Sequence, residues 1–217
     1  MLLVEAARSG QGLLDGLLAP NANVLCHLGA LNSAAVADAG QYWRLFTVMV
    51  LHAGLVHWAF NSYALYVLGP LLERVLGWAR YLALYVGAGF LGAAASYGLH
   101  HTELGVGASG AIFGLLGALI AFFWRRRNLG RTPLRNLLLI AAVNLVLAAS
   151  LRGIDNVAHI GGLCGGLLAM GVLDWAVLRG SRAAQVLGLA LPFLIGIVLV
   201  AYGGGHVPPD APICPGA

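Results

Sequence analysis

The sequence predicts an all-α protein that crosses a membrane about six times, and two observations support this class. Of its 217 residues, 60% are hydrophobic and only 9% are charged, whereas a soluble domain carries roughly 25% charged residues. The apolar residues also form blocks of about the length that a spanning helix needs, and no block alternates like a membrane barrel strand. The blocks lie at 45–70, 79–99, 107–124, 134–151, 157–178 and 183–203.

The first 44 residues are predicted to contain no complete spanning helix. The opening stretch MLLVEAARSGQ is too short to cross a bilayer, and it lacks the basic region and cleavage site of a signal peptide. Two alternatives are open. The chain begins with a re-entrant or interfacial segment, or an upstream apolar helix belongs to the native protein.

The positive charges predict a membrane orientation. All twelve basic residues are arginine, and nine of them follow the first, third or fifth block, in or next to the connections at 71–79, 125–134 and 178–183. Because arginine-rich connections stay in the cytoplasm, the start of the 107–124 block, the loop around Asp155 and the C-terminal tail are predicted to face outward. Charge placed in this way does not favour a nucleic-acid partner.

The three cysteines have no metal-binding spacing, and we predict neither a metal nor an organic cofactor. Cys26 and Cys214 both fall on the predicted outer side, where a disulfide could persist. Whether the two residues pair is left open.

Polar residues at membrane depth are costly unless they are paired or functional. His57 and Asn61 are four residues apart and therefore share one helix face. Both can donate hydrogen bonds, so the pair could hold a developing negative oxygen. Alternatively, the two side chains only tie neighbouring helices together.

Two helices carry faces of small residues that predict a close contact. On the 157–178 block, His159, Gly162 and Gly166 share one face, and the 107–124 block has a similar face. Its glycines are Gly110, Gly114 and Gly117. Helices with such faces approach closely, which would bring Ser109 and His159 within reach of each other.

This arrangement has a chemical meaning. A serine needs an adjacent base to become a nucleophile, and a neutral histidine is the usual base. Ser109 at a helix N-terminus also lies beside unpaired backbone N–H groups. Together with His57 and Asn61, those groups would form an oxyanion hole of the kind that acyl transfer requires.

The residues resemble those of the rhomboid intramembrane serine proteases over about residues 40 to 178. The motifs are Trp43-Arg44, His57-x-x-x-Asn61, Gly107-Ala108-Ser109-Gly110 and Ala158-His159-x-x-Gly162-x-x-x-Gly166. The resemblance implies a Ser109–His159 dyad, an oxyanion hole lined by His57, Asn61 and the backbone at Ala108, and supporting glycines at 107, 110, 162 and 166. It also implies that Trp43 and Arg44 belong to an outer loop, although an interfacial aromatic and a snorkelling cation would explain them equally.

The chain departs from the family pattern in three places. The first family helix, which precedes the Trp-Arg loop, is absent or truncated, and the block at 183–203 is an extra helix. Phe113 stands where many members have a tyrosine under the histidine ring. Asp155 invites a triad interpretation, but we interpret it as a loop or helix-capping residue. His52, His100 and His101 have no evident partner and receive no role.

We therefore interpret the chain as an intramembrane serine endopeptidase that cuts transmembrane segments of other proteins near the outer face. Residues 1–44 would form an N-terminal segment and outer loop, 45–178 the catalytic core, and 179–217 an extra helix with an external tail. The expected location is a bacterial-type inner membrane, with the oligomeric state open. The alternatives are an inactive rhomboid-like protein that binds membrane helices and, with less support, a small transporter.

Overall fold

The computed structural model describes residues 1–8, 10, 12–100, 104–126, 128, 131–151, 153–208 and 214. Among the described residues, the regular secondary structure is helical, apart from one isolated antiparallel bridge between Leu31 and Gly105. Five short helices come first: α1 (Leu2–Arg8), α2 (Leu13–Leu18), α3 (Ala22–Leu28), α4 (Ser33–Ala37) and α5 (Arg44–Thr47). Six long helices follow: α6 (Leu55–Leu76), α7 (Trp78–Ala95), α8 (Ser109–Arg125), α9 (Arg131–Ser150), α10 (Asn156–Leu178) and α11 (Arg182–Gly203).

The predicted class of multi-pass α-helical membrane protein is confirmed. By length and composition, four described helices can each cross a membrane: α7 with the π-turn that extends it to His100, α9, α10 and α11. The short helix pair Arg44–Val50 and α6 qualify together as a fifth, bent span. Helix α8 has 17 residues and is shorter than a usual span.

The prediction of one helix over 45–70 is wrong. The chain bends by 91° between Arg44–Val50 and Leu55–Leu76, and Gly54 at the bend has a positive φ of 116° that favours glycine. Apolar residues predominate on both sides of this bend, which contains His52, so the sequence pattern predicts one helix. The second helix also continues through Pro70 to Leu76, because membrane helices tolerate an internal proline.

Helix α8 is the central helix of the bundle. All ten residues from Ala111 to Ile120 are buried, as expected for a helix that is apolar on every side. It packs against α7 and α10 through small residues. Helices α9 and α11 lie at the periphery of the bundle. Only 17% of the most apolar segment of each helix is buried.

The predicted glycine contact between α8 and α10 is confirmed. A Cβ atom added to Gly162 would collide with the carbonyl oxygen of Gly110, and one added to Gly166 would collide with that of Gly114. The two backbones therefore touch directly, in the manner of small-residue contacts in membranes. Helix α7 joins this contact, because a Cβ on Gly92 would lie 2.6 Å from the carbonyl oxygen of Ala158.

The side chain of Arg44 corrects the interpretation of this residue as a snorkelling cation. It is only 3% exposed, and its Nη1 atom donates to the carbonyl oxygens of Cys26 and Ala30, at 2.7 Å each. Its Nε atom donates to Gln41 at 2.6 Å. Arg44 therefore fixes the turn after α3 instead of reaching for water.

The structure joins Cys26 and Cys214 in a disulfide with a Cα–Cα distance of 5.8 Å, which is a usual separation for a disulfide. This resolves the alternative that the sequence left open. The bond connects α3 to the C-terminal tail across 188 residues. The division of the chain at 44/45 and 178/179 stays a prediction.

Candidate active site

Ser109 is the first residue of α8, and Ala108 is its N-cap. The first N–H groups of a helix have no partner within the helix, so the Ser109 hydroxyl lies beside free donors. The loop before it is held from two sides: Gly105 and Leu31 exchange hydrogen bonds of 2.8 Å, and the Gly107 N–H donates to Val48 O at 2.9 Å. Ser109 thus begins a rigid helix after an anchored loop.

His159 lies opposite Ser109 on α10. Its Nε2 atom is 2.8 Å from the Ser109 Oγ atom, a hydrogen-bond distance for a nucleophile and its base. The His159 side chain is buried, with 7% exposure. The glycine contact below this pair holds α8 and α10 close enough for the two side chains to meet.

Phe113 supports the ring of His159. The two rings stack with their centroids 4.5 Å apart and an interplanar angle of 12°. Because Phe113 lies one turn below Ser109 on α8, the same helix carries the hydroxyl and the surface on which the imidazole rests. The stack fixes the ring plane without a hydroxyl group.

Asp155 caps α10, as the sequence interpretation expects. Its Oδ1 atom accepts from the Ala158 N–H at 3.0 Å, and its Oδ2 atom accepts from the Ser96 hydroxyl. The Nδ1 atom of His159 is buried and has no hydrogen-bond partner among the described residues. The carboxylate is therefore not placed as the third member of a triad.

His57 directs a ring N–H group towards the Ser109 hydroxyl. The Ala53 N–H donates to its Nδ1 atom at 3.3 Å, so the proton of the neutral ring lies on Nε2. A Cβ atom on Gly107 would lie 2.9 Å from that Nε2 atom and 3.6 Å from the Ser109 Oγ atom. The imidazole edge, the glycine backbone and the hydroxyl therefore surround one small space.

Asn61 is buried one turn further along α6. Its Nδ2 atom donates to the His57 carbonyl oxygen at 2.9 Å, and a side-chain amide has a second N–H to offer. Asn61 and Ala108 also line a cavity of about 320 Å³. Polar lining from His52 and Ser62 makes this cavity suitable for water or a polar substrate group.

The prediction that His52 has no evident partner is wrong. The residue is 7% exposed, its N–H donates to Glu5 at 3.4 Å, and its ring meets that of His57 edge to face at 5.4 Å. Burial raises the pKa of the Glu5 carboxyl group. His100 is exposed at the end of the π-turn, and His101 lies outside the described residues.

Sequence reasoning missed the N-terminal contacts of the site. Leu31 and Val48 hold the loop before Ser109 by backbone hydrogen bonds. The pattern of side chains in the sequence does not predict such bonds. Sequence reasoning also missed Ser96, whose contact with Asp155 links α7 to the start of α10. Over the residues that the structure describes, no three His, Cys, Asp or Glu side chains converge as a metal site.

Replacement of Gly107 by alanine is expected to lower both stability and activity. Its φ of 127° disfavours any side chain, at a cost of order 1–3 kcal/mol, and the new methyl group would displace the His57 ring. Gly153 is the matched control, because it has a φ of 83° but no atom within 4 Å of its Cβ position. We expect Gly153→Ala to lower the unfolding temperature only, whereas Gly107→Ala would also lower any activity that depends on Ser109 and His57. Equal activity in both variants would contradict the placement of His57.

Comparison with known proteins finds similarity to the rhomboid family. The rhomboid domain family model matches residues 39–176. The chain is 37% identical over 184 residues to rhomboid protease GluP of Bacillus subtilis (strain 168), covering 84% of this chain and 36% of that protein. It is 38% identical over 155 residues to RHOMBOID-like protein 7 of Arabidopsis thaliana, covering 70% of this chain and 49% of that protein.

A third relative is RHOMBOID-like protein 6, mitochondrial, of the same plant. It is 37% identical over 173 residues, which cover 76% of this chain and 56% of that protein. The chain therefore spans between 36% and 56% of the length of these three relatives.

Proposed function

This chain belongs to the rhomboid family, and we propose on that basis that it is an intramembrane serine endopeptidase with Ser109 as nucleophile and His159 as base. The observation that carries the proposal is the 2.8 Å distance between the Ser109 Oγ and His159 Nε2 atoms. A half-buried serine and a buried histidine in such contact, on helices held together by glycines, have the arrangement that nucleophilic catalysis needs.

The reaction follows from these positions. His159 Nε2 takes the hydroxyl proton while Ser109 Oγ attacks the scissile carbonyl carbon, and the carbonyl π electrons move to its oxygen. Collapse of this intermediate breaks the C–N bond, and the protonated His159 gives its proton to the leaving amine. A water molecule then hydrolyses the acyl ester by the same steps, which releases the second product and restores the Ser109 hydroxyl.

The negative oxygen of the intermediate needs donors that are aimed in advance. The N–H groups at the start of α8 supply part of them, together with the positive end of the helix dipole. The Ala53 N–H supports a role for His57 as a donor, because it favours the tautomer with a proton on Nε2. Asn61 has one side-chain N–H left for the same oxygen.

We propose transmembrane segments of other proteins as substrates, cleaved near the outer membrane face. A helix in lipid satisfies its own backbone groups, so it must unwind locally before a carbonyl group can reach Ser109. The Cys26–Cys214 disulfide supports an outward orientation, since disulfides persist in oxidising compartments. We propose a bacterial-type inner membrane, with the arginine-rich connections in the cytoplasm.

Labelling with a fluorophosphonate probe tests the nucleophile. Wild-type protein in detergent is expected to gain one covalent adduct by intact-mass measurement, and Ser109→Ala to gain none, because the variant lacks the attacking oxygen. Ser62→Ala is the matched control, since Ser62 lines the neighbouring cavity, and it should label like wild type.

Two outcomes would contradict the proposal. Labelling of folded Ser109→Ala would mean that another residue reacts with the probe. A folded wild-type protein that neither labels nor cleaves would instead favour a role in binding membrane helices without catalysis.

A further inference from the structure

A groove of about 630 Å³ lies between the end of α8 and the start of α9, away from the proposed active site. Trp124 of α8 and Arg131 and Arg135 of α9 line one part of it. Ser109 and Trp124 are at opposite ends of α8, separated by about 22 Å along the helix axis. The groove therefore opens at the arginine-rich end of the molecule, which the charge pattern predicts to be cytoplasmic.

The two arginines form a cationic end to the groove. They are four residues apart and so lie on one face of α9, and both are exposed. In the part of the chain that the structure describes, the ion pairs are those of Arg125 and Arg126 with Asp174. Neither Arg131 nor Arg135 takes part in them, so their charges are not neutralised by a carboxylate.

The rest of the groove is apolar. Leu138, Leu139 and Ala142 continue its wall along α9, and the first two are 44% and 55% exposed. From Arg135 to Ala142 the helix advances about 10 Å, from the membrane surface towards the hydrocarbon. Only Leu137, Ala141 and Ala148 of α9 are buried, so a long strip of the surface of this helix is exposed.

We propose that this groove binds one anionic phospholipid. The lipid phosphate would lie between Arg131 and Arg135, because each guanidinium group can donate two parallel hydrogen bonds to phosphate oxygens. One acyl chain would follow Leu138, Leu139 and Ala142 into the bilayer. Trp124 suits the level between head group and chain, where tryptophan is enriched, and basic pockets beside membrane helices are typical sites for acidic lipids.

The charges favour a lipid over a second protein helix as the occupant. An apolar transmembrane helix of another copy could cover the apolar strip, but its side chains in the membrane would offer no anion to the two arginines. An anionic lipid satisfies both parts at once, because its head group is charged and its chains are apolar.

Native mass spectrometry of the full-length protein in detergent tests the site. Phosphatidylglycerol and phosphatidylcholine with identical acyl chains are added in equal amounts. We expect one retained phosphatidylglycerol per protein and at least tenfold less phosphatidylcholine. Inorganic phosphate at millimolar concentration should not displace the lipid, because it lacks the chains.

Three variants separate the two parts of the groove. Arg131→Gln with Arg135→Gln is expected to weaken phosphatidylglycerol retention by about tenfold or more. Arg74→Gln with Arg182→Gln removes two charges from the same predicted membrane side without touching the groove, and should retain the lipid. Ala142→Phe fills the apolar end and should reduce retention without a change of charge, while thermal unfolding checks that each protein is folded.

Several results would overturn the proposal. Equal retention of both lipids, or equal loss in the two double variants, would mean that charge alone attracts lipid to this side. Displacement by phosphate would indicate a free-anion site. A dimer that is lost on Ala142→Phe substitution would identify a second copy as the occupant.

Discussion

Replacement of His159 by alanine is expected to abolish cleavage of a transmembrane substrate, while the protein stays folded. Without a base, the Ser109 hydroxyl keeps its proton and is a poor nucleophile. In a soluble serine protease, loss of the serine or the histidine lowers kcat by about 10⁶-fold, and we expect a loss of similar order here. The measurement is single-turnover cleavage of a fluorescent substrate in detergent or liposomes.

Asp155→Asn is the control that separates a dyad from a triad. Asparagine still caps a helix, so the bond from the Ala158 N–H to this side chain can persist, and the side-chain amide can donate to the Ser96 oxygen. Since Asp155 caps α10 instead of pairing with the imidazole, this variant should keep most of its activity. An Asp155→Asn variant as inactive as His159→Ala would require a triad.

Gly166→Ala is expected to produce a large loss of stability. The new carbon would meet the carbonyl oxygen of Gly114, a backbone atom that cannot turn aside as a flexible side chain can. Overpacking of this kind costs about 1–3 kcal/mol or more, or roughly 2–12 °C in unfolding temperature for a chain of this size. Thermal unfolding in detergent measures the effect directly.

The same variant should lose activity even below its unfolding temperature. Separation of α8 from α10 would lengthen the distance between Ser109 and His159, and a displacement of about 1 Å can cost 10²-fold in rate. Gly171→Ala is the matched control on the same helix, because nothing lies within 4 Å of its Cβ position. If both variants unfold at the same temperature, the glycine contact does not hold the bundle together.

Much of the candidate site could be predicted because it depends on local patterns. The spacing of small residues on α8 and α10 predicts which faces meet, and Ser109 and His159 lie at the outer ends of those faces. Helix periodicity also places His57 and Asn61 one turn apart on α6. The catalytic roles of these residues stay predictions, whereas the contact between the two glycine faces is confirmed.

The features that could not be predicted depend on contacts between distant parts of the chain. The bend before α6 lies inside a mainly apolar block, where only His52 and Gly54 interrupt the apolar pattern. Arg44 looks like any interfacial arginine in sequence, and its role follows from the carbonyl groups at Cys26 and Ala30. The division of the N-terminal region into the short helices α1 to α4 was not predicted either.

The anchoring of the Ser109 loop by Leu31 and Val48 has a consequence for engineering. Backbone hydrogen bonds do not depend on which side chains the residues carry. Whether these two segments fit each other therefore depends on the backbone conformation of both, and a comparison of side chains does not reveal it. A chimera can take α8 and its preceding loop from one homologue and the first fifty residues from another. Its two sets of hydrogen-bonding segments then come from different proteins. The two pieces are therefore best exchanged together, as one continuous segment, with the crossover point placed beyond α8.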